Sequence, residues 1–284
     1  MITLSLALLL SAAEADLAHS WITDADLRRV ARQADLTKLD LSGTKITDAG
    51  LQHLKTLKNI RELNLHYAEY ISEDGLAVLK TFPQLEVLNL RGTRVTSKVF
   101  EHIAHLKNLR DLDLGFTEIT DDGFEALLEL PKLERLVIGG NRLTGECLNM
   151  LRQVSTLRDL DVGGTQRVDS GLWGLSLTDE NLARLGALKQ LRRLTLAAAT
   201  ISDRGVDRPG HPEAERADLR DLSALNRLQD LEYLDLSRQP ITVESLRTLG
   251  VMPALQTLRV ALCKKLEAVE LGVKNFPALQ NVER

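Results

Sequence analysis

The apolar residues of this chain follow one phrase that recurs every 24 or 25 residues. The phrase has leucine at its first, fourth and sixth positions, then an isoleucine, then three leucines spaced by three. In its clearest copy these residues are Leu36, Leu39, Leu41, Ile46, Leu51, Leu54 and Leu57. The frame restarts at Ile60, Leu85, Leu109, Leu133, Leu157, Leu191, Leu231 and Leu255, and only two intervals, of 34 and 40 residues, are longer. A fixed period of about 20 to 29 residues indicates a stack of similar structural units.

Each unit contains one strand and one helical segment. Around residues 38–42 apolar and polar side chains alternate, which predicts a short strand with one buried face. The leucines of residues 51–57 are spaced by three, which predicts a helix or a tighter 3₁₀ turn. Thr47 is the expected N-cap of this segment, and Asp48 stands in its first turn, where negative charge is favourable.

Neither half of a unit can bury its leucines alone. Stacking the units side by side at about 4.8 Å merges the apolar residues into one continuous core. The sequence therefore predicts an α/β solenoid, a curved horseshoe with a parallel sheet on its concave side and helices on its convex side. We expect one repeat domain over residues 36–284, with about nine repeats counted from their leading leucines.

Two interpretations of the N-terminus remain open. Residues 1–15 hold a short apolar run followed by Ala13-Glu14-Ala15, the small-x-small pattern of a signal peptide, which favours export to the periplasm or secretion. Residues 16–35 are then a degenerate N-terminal capping repeat. Alternatively the whole N-terminus is an uncleaved cap and the protein is cytoplasmic, because residues 12–35 align without a gap to the first full repeat. The apolar run is too short for a membrane span.

Composition narrows the class of partner. The net charge of −4 and the pI near 5.9 give no support for nucleic-acid binding, which requires a basic surface. Cys147 and Cys263 lie four repeats apart, on the order of 20 Å, too far for a disulfide. Cys263 occupies the slot held by Thr44 in the first repeat, where a small polar side chain can bond the backbone after the strand.

The unit Leu-x-x-Leu-x-Leu-x-x-Thr-x-Ile-Thr-Asp-x-Gly-Leu-x-x-Leu resembles the leucine-rich repeats of bacterial proteins. It is also similar to the cysteine-containing, ribonuclease-inhibitor-like subtypes of F-box proteins. The resemblance covers residues 36–282 and implies partner binding along the concave face, with no catalytic residues to carry over. A substrate receptor of the F-box type is not expected, because the residues before the first full repeat leave no room for the F-box helical domain.

Two rows of outward-facing residues cross the predicted sheet. The first row consists of Lys38, Glu62, Val87, Asp111, Arg135, Asp159, Arg193, Tyr233 and Thr257. Its charges alternate in sign from Asp111 to Arg193, which predicts a self-compensating ladder. The second row is Asp40, Asn64, Asn89, Asp113, Val137, Asp161, Thr195, Asp235 and Arg259. The row contains four aspartates and one cation, so we expect a mildly acidic surface that prefers a basic or amide-rich protein or peptide. The alternative is a solvated polar face without a ligand.

Two insertions interrupt the period, at residues 166–176 and 207–221. Insertions within a repeat map to loops on its face, and both should leave the unit after its strand. Trp173, in the first insertion, is either a local hydrophobic plug or an anchor for a partner. Tyr67 and Phe116, just past their strands, and Tyr233 on the first row are further candidate contacts.

The sequence contains none of the motifs that would indicate catalysis. We find no His-Glu-x-x-His, Cys-x-x-Cys, phosphate-binding loop or Gly-x-Ser-x-Gly. We therefore expect no enzyme activity, no cofactor, no metal and no small-molecule substrate. The predicted function is a protein-interaction scaffold that binds a protein or peptide on its concave face. The alternative is a structural or cell-envelope assembly protein without a single specific ligand.

Overall fold

The computed structural model describes residues 13–168, 171–199, 221–264, 266 and 275–284. The chain folds as two compact units, Met1–Leu136 and Val137–Arg284. The apolar run at the start of the chain and nearly all of the insertion at 207–221 lie outside the described residues. The helices of the described part include none that is both long enough and apolar enough to cross a membrane.

The first unit contains a parallel sheet whose strands follow one another in chain order. Its strands are β1 (Glu14–Asp16), β2 (Lys38–Asp40), β3 (Glu62–Asn64), β4 (Val87–Asn89) and β5 (Asp111–Asp113). The central residues Leu39, Leu63, Leu88 and Leu112 lie in register and are at most 2 % exposed. This confirms the predicted strand frame and its buried spine. The signal-peptide boundary considered after Ala15 falls within β1, which pairs with β2.

The opposite side of the first unit is helical. It contains α1 (Asp24–Val30), α2 (Asp48–Leu51), α3 (Glu73–Leu76) and α4 (Val99–Ile103), with 3₁₀ segments at Gln52–Thr56, Ala77–Thr81 and Phe124–Glu129. Leu51, Leu54 and Leu57 are all fully buried, as their spacing predicts. The short helical segments mix α and 3₁₀ geometry because a spacing of three suits both.

Neighbouring repeats are also joined at the start of their helices. Asp24 accepts hydrogen bonds from the backbone N–H of Thr47 (2.9 Å) and from its hydroxyl (2.6 Å). Asp48 accepts the same two bonds from Ser72, at 2.8 and 2.6 Å. Thr47 is the N-cap, as predicted, but its hydroxyl donates to the preceding repeat instead of accepting from its own helix. A Cβ at Gly75 would lie 2.2 Å from the Asp48 carboxylate, which explains the glycine in the Thr-Asp-x-Gly phrase.

The second unit repeats this architecture. Strand β6 (Arg135–Val137) lies at the boundary between the units, followed by β7 (Asp159–Asp161), β8 (Gln166–Val168), β9 (Gly171–Trp173), β10 (Arg193–Thr195), β11 (Tyr233–Asp235), β12 (Thr257–Arg259) and β13 (Asn281–Glu283). Strands β7, β10, β11, β12 and β13 form a parallel sheet in that order. The helical side holds α5 (Cys147–Leu151), α6 (Asp179–Gly186), a 3₁₀ segment Ser223–Arg227 and α7 (Val243–Thr248).

The first insertion forms a hairpin where the sequence predicted a loop. Strands β8 and β9 pair antiparallel, with Gln166 opposite Trp173. The residues themselves favour this outcome, because valine and tryptophan, at positions 168 and 173, have high strand propensity. A period-based reading locates an insertion but carries no information about its internal pairing.

The polar slot after each strand behaves as predicted. The Thr44 hydroxyl donates to the carbonyl of Leu41 in its own repeat at 2.7 Å, whereas the Cys263 thiol lies 3.2 Å from the carbonyl of Leu236 in the preceding repeat. A small polar side chain here satisfies a backbone carbonyl as the chain turns out of the strand. Cys147 and Cys263 are both buried, and neither forms a disulfide.

Candidate binding surface on the sheet

The first row of outward side chains is a ladder of ion pairs. In the first unit Lys38 Nζ lies 3.1 Å from Glu62 Oε1, and Arg135 Nη1 lies 2.8 Å from Asp111 Oδ1. In the second unit Arg193 Nε lies 3.5 Å from Asp159 Oδ2. These pairs form the predicted ladder. Because these pairs are substantially exposed, each contributes at most about 1 kcal/mol to the free energy of unfolding. The row therefore determines the charge pattern of the surface more than it stabilises the fold.

The second row has a structural role that the sequence reading missed. At each aspartate or asparagine of this row, the side-chain Oδ1 accepts a hydrogen bond from the backbone N–H two residues later. The bonded residues are Asp40, Asn64, Asn89 and Asp113 in the first unit and Asp161 and Asp235 in the second. These Asx turns bend the chain away from the strand. One oxygen of each side chain is therefore held by the fold.

Arginines lie near two of the aspartates of the second row and offset part of their negative charge. Arg91 Nη1 lies 3.8 Å from Asp113 Oδ1, and Arg259 Nη1 lies 3.6 Å from Asp235 Oδ2. Burial raises the pKa of Asp113 above its ordinary value, while the Gly115 N–H and Arg91 act in the opposite direction. Arg259 is the cation already counted in the row, and Arg91, just past a strand, reaches back to Asp113 from outside it, so the mildly acidic surface stays a prediction.

The backbone turns into the left-handed region three residues after several strands. Tyr67 and Phe116 have φ values of 53° and 54°, where glycine is otherwise favoured. Gly92, one repeat after Tyr67, has the same turn with φ 69°. A Cβ at Gly92 would lie 2.4 Å from the Tyr67 ring, so the ring lies over the glycine. Glycine at position 92 therefore leaves the space that the Tyr67 ring occupies.

Four side chains of the first unit form what we call the exit-edge cluster: His66, Tyr67, Arg91 and Phe116. The His66 and Tyr67 ring centroids are 4.4 Å apart, and the Arg91 guanidinium lies 4.4 Å from the centre of the Phe116 ring. Tyr67 is 48 % exposed. Burial, reinforced by the charge of Arg91, lowers the pKa of His66, which favours a neutral imidazole at neutral pH. The cluster presents aromatic faces and one cation to solvent.

The second unit has a related pair on its sheet. The Arg193 guanidinium lies 4.0 Å from the centre of the Tyr233 ring, and the Tyr233 hydroxyl is 3.5 Å from Asp235. Burial, with the Asp235 charge, raises the pKa of Tyr233, so the phenol stays protonated. Trp173 is partly exposed at the end of β9.

The structure thus groups the predicted contact residues by unit. Asp40, Asn64, Asn89, Asp113, Tyr67 and Phe116 belong to the first unit, and Asp161, Trp173, Tyr233 and Asp235 to the second. Sequence reasoning missed Arg91 and His66, although their position two residues past a strand was a usable signal. Within the described residues, no group of three or more His, Cys, Asp or Glu side chains could hold a metal ion.

Comparison with known proteins places this geometry in a family. The family model described as a leucine-rich repeat region matches residues 36–283, and the chain belongs to this family. A crystal structure of internalin C2 from Listeria monocytogenes str. 4b F2365 is similar over 81 % of this chain and 80 % of that chain, with 23 % identity and a TM-score of 0.55. Another internalin of the same strain covers 96 % and 86 %, with 19 % identity and a TM-score of 0.49. The comparison with curated proteins gives no match.

Proposed function

We propose that this protein is a non-catalytic interaction module that binds a protein or peptide partner on the outward face of its sheet. The observation that carries the proposal is the contact of Arg91 with the ring of Phe116 beside the sheet of the first unit. The second unit, taken by itself, has a related contact of Arg193 with Tyr233 on its sheet. Stacked repeats create extended surfaces that leucine-rich repeat proteins use for binding.

The residue types at these contacts are those that dominate binding energy in protein interfaces. Tyrosine and arginine are enriched at hot spots because they combine large contact area with hydrogen-bonding or charged ends. Stacking on a ring holds each guanidinium in place before a partner arrives, which lowers the entropy lost on binding. The compensated first row around them adds specificity more than affinity.

The second row supports a partner with basic or amide-rich groups. Asp40 keeps its Oδ2 in a hydrogen bond with Asn64, while Asp113 and Asp235 face arginines. Such a mixed row offers both donors and acceptors, and it favours hydrogen-bonding partners over strongly charged ones. Trp173 is a further proposed contact on the hairpin.

Capture experiments with matched variants test this function. The immobilised protein should retain one stoichiometric partner from native extract, and Phe116→Ala or Tyr233→Ala should each weaken its binding by about tenfold or more. Glu101→Ala and Glu125→Ala, which change exposed residues of the helical side, should leave capture unchanged. Loss of the partner with the helical-side variants alone would contradict binding on the sheet. Concentration-dependent self-association without a partner would favour a structural, assembly role instead.

We also propose that the protein is exported. The support is the apolar run at residues 2–10 followed by Ala13-Glu14-Ala15. Mass spectrometry of the intact native protein tests this, because loss of residues 1–15 is expected on export. A native mass that includes Glu14 would mean that the protein keeps the complete strand β1, and it would favour the uncleaved, cytoplasmic alternative.

A further inference from the structure

A second solvent-facing row of side chains lies outside the sheet face, in the segment that leads from each strand to the next helix. It consists of Trp21, Lys45, Tyr70 and Arg94, each followed in the sequence by an apolar residue and then by threonine or serine. In the first three repeats that threonine or serine is the N-cap of the helix. We call these four residues the outer ladder. It belongs entirely to the first unit and takes one residue from each of four successive repeats.

The ladder is exposed to an unusual degree. Trp21 is 88 % exposed and Tyr70 is 56 % exposed, and Lys45 and Arg94 are also exposed. Tryptophan is highly buried on average, so a nearly bare indole has no packing role that explains it. The large exposed apolar side chains of the described residues include three aromatic ones, Trp21, Tyr67 and Tyr70, and all three follow strands of this unit. Two of these rings, Trp21 and Tyr70, belong to the outer ladder, and tryptophan and tyrosine are enriched at interfaces because they combine an apolar body with a polar end.

The two cations of the ladder have no carboxylate partner. Lys45 Nζ lies 5.4 Å from the centre of the Trp21 ring, and neither Lys45 nor Arg94 forms an ion pair with a described residue. The first row of the sheet face is different, because its cations are paired with acids of neighbouring strands. Alternating rings and unpaired cations complement a chain that alternates apolar and acidic side chains.

We propose that the outer ladder binds an acidic peptide segment that also carries apolar side chains. Consecutive repeats are about 4.8 Å apart, so the ladder spans roughly 15 Å, the length of an extended peptide of about five residues. The apolar side chains would cover the indole and phenol rings, and the carboxylates would reach Lys45 and Arg94. This binding is independent of the partner proposed for the sheet face.

The same chemistry does not suit an anionic membrane. Recognition of anionic lipid takes clusters of about four to eight basic residues, and the ladder has only two. Glu69 directly precedes Tyr70, and Glu118 follows Arg94 in the same row one repeat later; both are exposed. These acids would face a negatively charged lipid surface, whereas a peptide can place its carboxylates between them.

Fluorescence of Trp21 tests the proposal directly. The chain has two tryptophans, so Trp173→Phe leaves Trp21 as the only indole. Titration with a short synthetic peptide of Glu, Asp and Leu should give a saturable change in Trp21 emission. The combined variant Lys45→Glu and Arg94→Glu should weaken binding by about tenfold or more, since two attractions become repulsions. Tyr233→Ala, on the sheet face, should leave it unchanged.

Three results would overturn the proposal. The first is no saturable change with the acidic peptide while the unfolding midpoint shows an intact fold. The second is equal binding of a peptide with Lys in place of Glu and Asp. The third is a larger change in Trp21 emission with vesicles of anionic lipid than with the peptide. None of these results depends on whether the sheet face binds a partner.

Discussion

Replacing Gly75 by alanine tests how the repeats are joined at their helix starts. In an exposed helix this change normally stabilises a protein by about 0.5–1 kcal/mol, because alanine loses less backbone entropy on folding. Here the added Cβ would lie 2.2 Å from Asp48 Oδ1 and 3.0 Å from the Asp48 Cα. The carboxylate must then leave its position, and both hydrogen bonds from Ser72 are lost.

The net effect follows from these terms. Each lost bond to the carboxylate is worth about 1 kcal/mol at a partly exposed site, so about 2 kcal/mol is lost and up to about 1 kcal/mol is regained from helix propensity. Gly75→Ala is therefore expected to destabilise by about 1–2 kcal/mol. With Asp48→Ala already present, the same change should be neutral or stabilising, a coupling energy of about 2 kcal/mol.

Urea unfolding followed by circular dichroism measures the stability of the natural protein, of Gly75→Ala, of Asp48→Ala and of the double variant, provided their m-values agree. Asp74→Ala is the control: Asp48→Ala removes an acid from the first turn of α2 and Asp74→Ala removes one from the first turn of α3, but Asp74 is not the acceptor for Ser72. A stabilising Gly75→Ala in the natural background, or coupling to Asp48 no larger than to Asp74, would show that the repeats are not joined in this way.

Three further predictions concern single residues. Because burial raises the pKa of Asp113, the natural protein loses stability as the pH rises through that pKa. Asp113→Asn keeps the acceptor for the Gly115 N–H, so its free energy of unfolding should exceed that of the natural protein by up to about 1 kcal/mol at neutral pH. This difference should disappear at pH ~4. A difference that is constant with pH would refute this. Gly92→Ala should destabilise by about 1–2 kcal/mol in urea unfolding, and less when Tyr67→Ala removes the ring above it; an equal cost in both backgrounds would exclude the ring contact. Burial raises the thiol pKa of Cys263, so alkylation at pH ~8 should be at least about tenfold slower in the native than in the unfolded protein, and equal rates would contradict its burial.

Periodicity was sufficient to predict most of the fold. The strand frame follows from Leu39 and its equivalents, because only alternate residues of a strand can face the core. The N-cap role of Thr47 and the backbone bond of Cys263 follow from residue type and position. Each of these features depends on a residue type at a fixed position of the repeat, so the sequence of one repeat is enough to predict it.

The rest depends on contacts between different positions of the phrase. The glycine at position 75 is explained by a carboxylate of the preceding repeat, which a reading of one unit does not reveal. The second row was read as free acidic groups because its bonds run to backbone N–H groups that a sequence does not display. Trp21 was overlooked because it lies in a degenerate repeat, where the leucine frame is weakest.

The most direct test of binding on the sheet is a photo-crosslinking amino acid placed at Val87, on the outward face, and at Glu101, on the helical side. Each substituted protein is irradiated with the captured partner, and the crosslinked product is measured by mass spectrometry. If the sheet face is the binding surface, the partner should crosslink from Val87 and not from Glu101. Crosslinking from Glu101 alone would contradict it.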